Sequence, residues 1–376
     1  MKKTTKCLLL FVLICMTSFI AIGCNKNVSQ NKENINAEES KSAANDEKKE
    51  ITLTDNVGRK VTLPYPVKAC VVANRYNSEL IRASGAIDRV IAVDMNTAQD
   101  REYWSEFDPN NTISKGGNDL NYEKIVELNP QVVILPANGS WEEAENKLKE
   151  FGIKVFVISG YDTSDFKNQV ENIGKMFGTE EKAKKFYDYF NDKLEYIKSR
   201  VPEDKQKTLY LEQVTDFQST IPGDYFFNMQ KLAGAKNIFS ENYENININE
   251  INPEEVINRN PDVIIKFLTA DDAMSGTGLY TPPRKEQFKE KLEEIKSRPG
   301  WSDIKAVKNN DIYFMTQFSH GGASKLVGTM FIAKWMYPDL VPDLDPYEVF
   351  RAWMEDFQGF KNIDGHFYTA DELEKE

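Results

Sequence analysis

NYEKIVELNPQVVIL, residues 121–135, and NPEEVINRNPDVIIK, residues 252–266, write one pattern twice, 131 residues apart. In register, Asn, Glu, Asn, Pro, Val and Ile coincide at six of fifteen places. Each copy opens on an asparagine, Asn121 or Asn252, a residue whose side chain accepts from the free N–H groups of a helix's first turn. Pro253 suits the first helical position. Glu123 and Glu254 follow at the third place. The pairs Asn129-Pro130 and Asn260-Pro261 then stop the helix, because the residue before proline is steered away from the α region. A short apolar, β-branched run follows in both copies. Each copy therefore predicts a helix, a turn and a buried strand, and the duplication predicts two lobes of like construction.

Working outward, KACVVA (68–73), RVIAV (89–93), QVVIL (131–135) and KVFVIS (154–159) read as buried strands. Helical segments lie between them. One spans 77–84 and stops at Gly85. Another spans 141–151, with Ser140 and Glu143 as a capping box and Gly152 as its stop. The pattern resumes with strands in KTLYLEQV (207–214), DVIIKF (262–267) and DIYFM (311–315), and with helices at 226–233 and 323–336. Apolar strands alternating with helices predict an α/β fold with parallel sheets covered on both faces. Between the units, Ala183, Phe186, Phe190, Leu194, Ile197 and Val201 recur at steps of three and four. That spacing keeps one face of a helix, which at 1.5 Å per residue is about 30 Å long. The expected organisation is a first lobe at 51–178, an interlobe helix at 179–202 and a second lobe at 203–376. A helical tail carries Phe350, Trp353 and Phe357 and is expected to pack back on the second lobe.

The chain's start reads differently. Lys2, Lys3 and Lys6 precede an apolar run that is short for a membrane span, so residues 1–23 read as a signal peptide. Gly23-Cys24 resembles a lipobox, which makes Cys24 the expected lipidation site. Residues 25–50 have no aromatic side chain and many charges, the composition of a flexible linker. With the leader and anchor set aside, Cys70 is left without a partner and reads as a core residue. The net charge is −12 over 376 residues, and it becomes more negative once a leader with three lysines and no acids is removed. Such a body is unsuited to nucleic acid and is not drawn to anionic membranes by charge.

These features resemble the substrate-binding proteins of ABC importers, in the class that handles iron–siderophore complexes, haem and cobalamin. The resemblance covers residues 55–345. It rests on DNVGRKVTLP (55–64), the two repeated segments, AGAKNIF (233–239) and RPGWSDIKAVKNNDIYFM (298–315). It implies two Rossmann-like lobes joined by one long helix, with ligand in the cleft between them. It also implies that Glu123 and Glu254, one in each lobe, dock on arginines of a permease dimer that works with a cytoplasmic ATPase. The protein is then expected to be a monomer, anchored by lipid on the extracytoplasmic face of the cell membrane.

Ligands of such folds sit at the carboxyl ends of strands. On those loops Arg75, Tyr76, Trp141, Tyr225, Phe226, Tyr280 and His320 are the candidates. Aromatic rings suit the flat faces of a chelate and arginine its negative charge. The chain has two histidines, too few for a bare-ion site built from several imidazoles. A cargo already chelated is expected: an iron complex first, cobalamin or haem second, with His320 a candidate metal ligand. Gly321 and Gly322 would let the backbone approach something closely. No intrinsic cofactor is expected. Neither a Gly-x-Ser-x-Gly elbow nor a phosphate-binding Walker sequence occurs, and the sequence is read as a binding protein, with a surface enzyme acting on a chelate the less favoured alternative.

Overall fold

The computed structural model describes residues 49–270, 279–361 and 364–375. The leader, Cys24 and nearly all of the linker lie outside the described residues, as do 271–278 and the side chains of Tyr225 and His320.

The body opens with a hairpin of β1 (Glu50–Thr54) and β2 (Lys60–Pro64). The first lobe continues through β3 (Cys70–Val72), α1 (Arg75–Ala83), β4 (Val90–Val93), α2 (Met95–Ala98), α3 (Tyr122–Leu128), β5 (Val132–Leu135), α4 (Trp141–Leu148), β6 (Lys154–Val157) and α5 (Phe166–Phe177). Its sheet has the order β4-β3-β5-β6 and is parallel throughout. The interlobe helix α6 spans Glu180–Arg200. The second lobe contains β7 (Thr208–Glu212), α7 (Tyr225–Leu232), β8 (Lys236–Asn237), α8 (Pro253–Arg259), β9 (Val263–Leu268), α9 (Lys285–Ser297), α10 (Lys305–Lys308), β10 (Ile312–Thr316) and α11 (Ser324–Met336). The tail forms α12 (Pro346–Ala352), a π-helical turn at Trp353–Phe357, β11 (Phe367–Thr369) and α13 (Ala370–Glu374). The second sheet has the order β11-β10-β9-β7-β8.

The repeated segments become α3–β5 and α8–β9. Asn121 Oδ1 accepts from the Lys124 N–H at 3.0 Å, and Asn252 Oδ1 from the Glu254 N–H at 3.0 Å. Both stops use the same device. Asn129 (φ 47°) and Asn260 (φ 45°) turn into the left-handed region, which ends each helix before its proline.

Four expectations need correction. The second sheet is mixed, because β11 runs antiparallel to β10. Ser140 does not cap α4: its hydroxyl donates to the Asn118 carbonyl at 3.1 Å, and Glu143 pairs with Lys147 instead. The first helix starts at Arg75, earlier than expected, because Asn74 supplies the cap. The tail touches more than the second lobe. Trp353 and Phe357 lie against Phe186 and Phe190 of α6, with ring centroids 5.1 to 6.1 Å apart.

The apolar stripe of α6 faces inward as its spacing requires. Ala183, Phe186, Phe190, Ile197 and Val201 are buried and Leu194 is partly so. The core they join is continuous. It takes in Leu80, Phe156 and Ile173 of the first lobe, Leu211, Ile265 and Met330 of the second, and Trp353 of the tail. Smaller cores cover the outer face of each sheet.

Phe190 has no exposed surface, and it packs on Trp353 and Phe357 of the tail within the core that both lobes share. Phe190→Ala is therefore expected to destabilise the protein by about 3–5 kcal/mol, read as a lower urea midpoint at unchanged slope.

Candidate functional site

α1, which follows the end of β3, meets the second lobe at the junction. Its start is fixed by Asn74, held at φ 105°. The Asn74 N–H donates to Asp94 Oδ2 at 2.7 Å, while its side chain accepts from the Tyr76 N–H at 3.0 Å. A non-glycine residue held there is locally strained, a cost that functional sites often carry. The arrangement directs Arg75 and Tyr76 toward the second lobe.

Tyr76 meets the two glycines after His320. A Cβ on Gly321 would lie 2.0 Å from the Tyr76 ring, and one on Gly322 3.0 Å from Glu79 Oε2. What the glycines admit is thus the first lobe itself. On the same seam, Lys325 Nζ donates to the Tyr161 carbonyl at 2.6 Å, and burial lowers its pKa to about 8. Its ammonium lies 5.2 Å from the Phe226 ring centroid.

Next along α1, the buried Glu79 accepts a 2.6 Å hydrogen bond from the Tyr280 hydroxyl of the second lobe. Tyr280 also stacks on Tyr103 of the first lobe, with centroids 3.4 Å apart and planes 9° from parallel. Arg82 lies 3.7 Å from the Trp104 ring centroid and pairs with Glu106. Glu79 Oε2 and Arg75 Nη1 are buried there without a hydrogen-bond partner among the described residues. Groups of this kind favour a polar ligand or bridging water.

Of the sequence candidates, Arg75, Tyr76 and Tyr280 come together at this junction, and Phe226 lies beside Lys325. Trp141 is taken up otherwise: Arg59 sits 4.5 Å over its ring, and it packs on the outer first-lobe core. The second histidine, His366, is buried. Its Nδ1 meets the Thr316 hydroxyl at 2.6 Å and its Nε2 the Tyr280 carbonyl at 3.1 Å. Burial pushes its pKa down to about 3, so it is neutral and structural.

Glu79, Tyr103 and Lys325 escaped the sequence reading. Each is an ordinary residue within a helix or loop, and its importance lies in the partner lobe. The charged network under the second-lobe loop also went unforeseen. Lys266, buried on β9, reaches Glu212 at 2.9 Å and Asp216 at 2.7 Å, while Arg298 grips Glu212 with both terminal nitrogens. Burial alone would raise the Asp216 pKa, but hydrogen bonds from Lys266 and Lys291 outweigh it and bring the value to about 2.

Glu79 provides a test. Burial lifts its pKa from 4.5 to about 7, against the opposing pull of Tyr280, Arg75 and Arg82. Tyr76 and Tyr103 also face it. A folded-state pKa above the unfolded value stabilises fully below the unfolded value, and that stability fades as pH rises through the folded value. Stability is therefore expected to fall between about pH 4.5 and about pH 7, and Glu79→Gln should flatten that part of the profile. Urea midpoints across that range check both.

Comparison with known proteins agrees with this architecture. A family model described as periplasmic binding protein matches residues 71–317. The uncharacterized ABC transporter substrate-binding lipoprotein YvrC of Bacillus subtilis is 25% identical over 300 residues, 77% of this chain and 86% of that protein. Among solved structures, the TroA-like periplasmic binding protein FepB of Veillonella parvula has a TM-score of 0.68 at 22% identity, covering 85% of this chain and 99% of that one. The petrobactin-binding protein YclQ of Bacillus subtilis has a TM-score of 0.57 at 17% identity, over 77% and 98%. Since the family model spans well over half of its length, the chain belongs to the periplasmic binding protein family.

Proposed function

We propose that the protein captures a metal chelate, an iron complex of siderophore type, at the junction of its lobes and hands it to an ABC permease. The observation that carries delivery is the matched pair α3 and α8. Each lobe presents one exposed glutamate, Glu123 or Glu254, at the same place in the same unit. Among the described residues neither makes an ion pair, whereas Glu127 pairs with Lys124 and Glu255 with Arg259. Two free carboxylates on like helices suit arginine forks on a permease of two-fold symmetry. The YvrC likeness and the lipobox support anchoring at Cys24 on the outer face of the membrane.

The cargo reading rests on the junction. Arg75, Tyr76 and Tyr280 supply a cation and aromatic faces. His366 is engaged by Thr316 and Tyr280, and the sequence holds one other histidine, His320. A cargo that brings its own ligands fits that supply, and the petrobactin-binding neighbour shares the fold.

Two measurements test this. Purified protein is titrated with ferric siderophores, haem and cobalamin while tryptophan fluorescence is followed. Saturable quenching by a ferric chelate is expected; quenching by haem or cobalamin alone would overturn the iron assignment. The Glu123→Ala/Glu254→Ala variant is expected to keep that quenching. It should lose stimulation of the permease ATPase by about tenfold or more, the scale of two charge-assisted contacts. Full stimulation by the double variant would overturn the docking role.

A further inference from the structure

The tail was expected to close the second lobe, and its path does more. At its start, Phe350 lies against Phe318 of the second lobe and Phe367 of β11, with centroids 5.3 and 5.4 Å away. At its end, β11 pairs with β10, and His366 binds Thr316 and the Tyr280 carbonyl. Both ends are therefore fastened to one lobe. The middle is not. Phe357 packs on Phe186 and Tyr189 of α6 at 5.1 and 5.3 Å. Gln358 Nε2 donates to the Glu79 carbonyl of α1 at 3.2 Å. Phe360 stacks on Tyr103 at 4.8 Å and lies 4.9 Å from the Arg82 guanidinium. Glu79, Arg82 and Tyr103 all belong to the first lobe.

We propose that residues 346–360 form a strap, a second tether between the lobes beside α6, and that Gln358 and Phe360 are its grip on the first lobe. The strap sets the spacing of the lobes and so the width of the junction where Tyr76 meets Gly321. A helix alone resists bending but leaves the far edges of two lobes free to part. A chain fastened on one lobe and clasped to the other removes that freedom, because parting would expose Phe357, Phe360 and Tyr103 to water. Tyr280 supports the same arrangement from beneath. It is held by His366 on its carbonyl, and its ring and hydroxyl engage Tyr103 and Glu79. The inference rests on this packing alone and is independent of the cargo.

Hydrogen exchange on the full-length protein separates a strap from local packing. The contacts of Tyr76 with Gly321 and of Lys325 with Tyr161 lie on the seam but involve no strap residue. In Gln358→Ala/Phe360→Ala, the peptides containing 160–161 and 321–325 are expected to exchange several-fold faster than in the parent, along with those containing 79–82 and 103. Faster exchange confined to 79–82 and 103 would overturn the proposal, and so would unchanged exchange throughout. Should the double variant lose its near-ultraviolet circular dichroism, Gln358→Ala alone carries the same comparison. It removes one hydrogen bond and no ring. A third variant, Phe151→Ala, alters an exposed ring on the outer first lobe and is expected to leave every seam peptide unchanged; acceleration there would mark a general softening and overturn the assignment to the strap.

Discussion

Phe186 and Phe190 stand midway along α6, with Phe166 of α5 against Phe186 and the Trp353–Phe357 turn packed on both rings. The apolar core runs through them from one sheet to the other. Two lobes that each closed their own core could turn about a connecting segment at little cost. Here one apolar cluster holds residues of both lobes, α6 and the tail, so rotation would open buried apolar surface to water. Tyr76 meets Gly321 and Glu79 meets Tyr280 at the junction that this core supports.

The junction itself holds several residues that local rules disfavour. Asn74 holds a left-handed backbone, Glu79 is a buried acid with one unpaired oxygen, and Lys325 is a buried ammonium on a carbonyl. In the second lobe, Lys266 is fully buried on a strand that otherwise reads as pure core. Its charge is tolerated because Glu212 and Asp216 flank it and its ammonium donates to Asp216 and to the carbonyls of residues 213 and 214. The network thereby pins the loop that leads away from the end of β7. Locally unfavourable residues cluster where the lobes meet, while α3–β5 and α8–β9 satisfy capping, periodicity and burial together. Such clustering is the usual mark of a site built onto a stable frame.

This division explains what the sequence could disclose. The repeat, the strand runs and the stripe on α6 depend on contacts within a few residues or on a regular period, and they appear at their predicted places. Asn129 and Asn260 even stop their helices by one shared mechanism. The capping box at Ser140 failed because a tertiary acceptor, the Asn118 carbonyl, claimed its hydroxyl. The β11 strand was missed because three residues carry no period, and its direction is set by β10. Arg75, Tyr76 and Tyr280 were named from chemistry suited to a loop, and the fold brings them to one junction. Glu79 was not, because its helix offers no hint that a tyrosine 201 positions away will donate to it. Trp141 shows the converse: its chemistry suited a ligand, but Arg59 from the opening hairpin covers it.

The two copies of the repeat also bear on why their glutamates are there. A glutamate in a helix's first turn ordinarily favours the helix dipole and can complete a cap. In both copies the asparagine alone fills the cap, Asn121 onto the Lys124 N–H and Asn252 onto the Glu254 N–H. The dipole gain for an exposed carboxylate is about 0.3–1 kcal/mol, and any acid in the turn would supply it, as Glu255 already does beside Glu254. Folding therefore does not require an acid at the third position of each copy. Packing fixes the valine and isoleucine of the repeat, and capping fixes its asparagines and prolines. Glu123 and Glu254 are the shared residues that capping and packing leave unassigned, and the docking role is proposed on that ground.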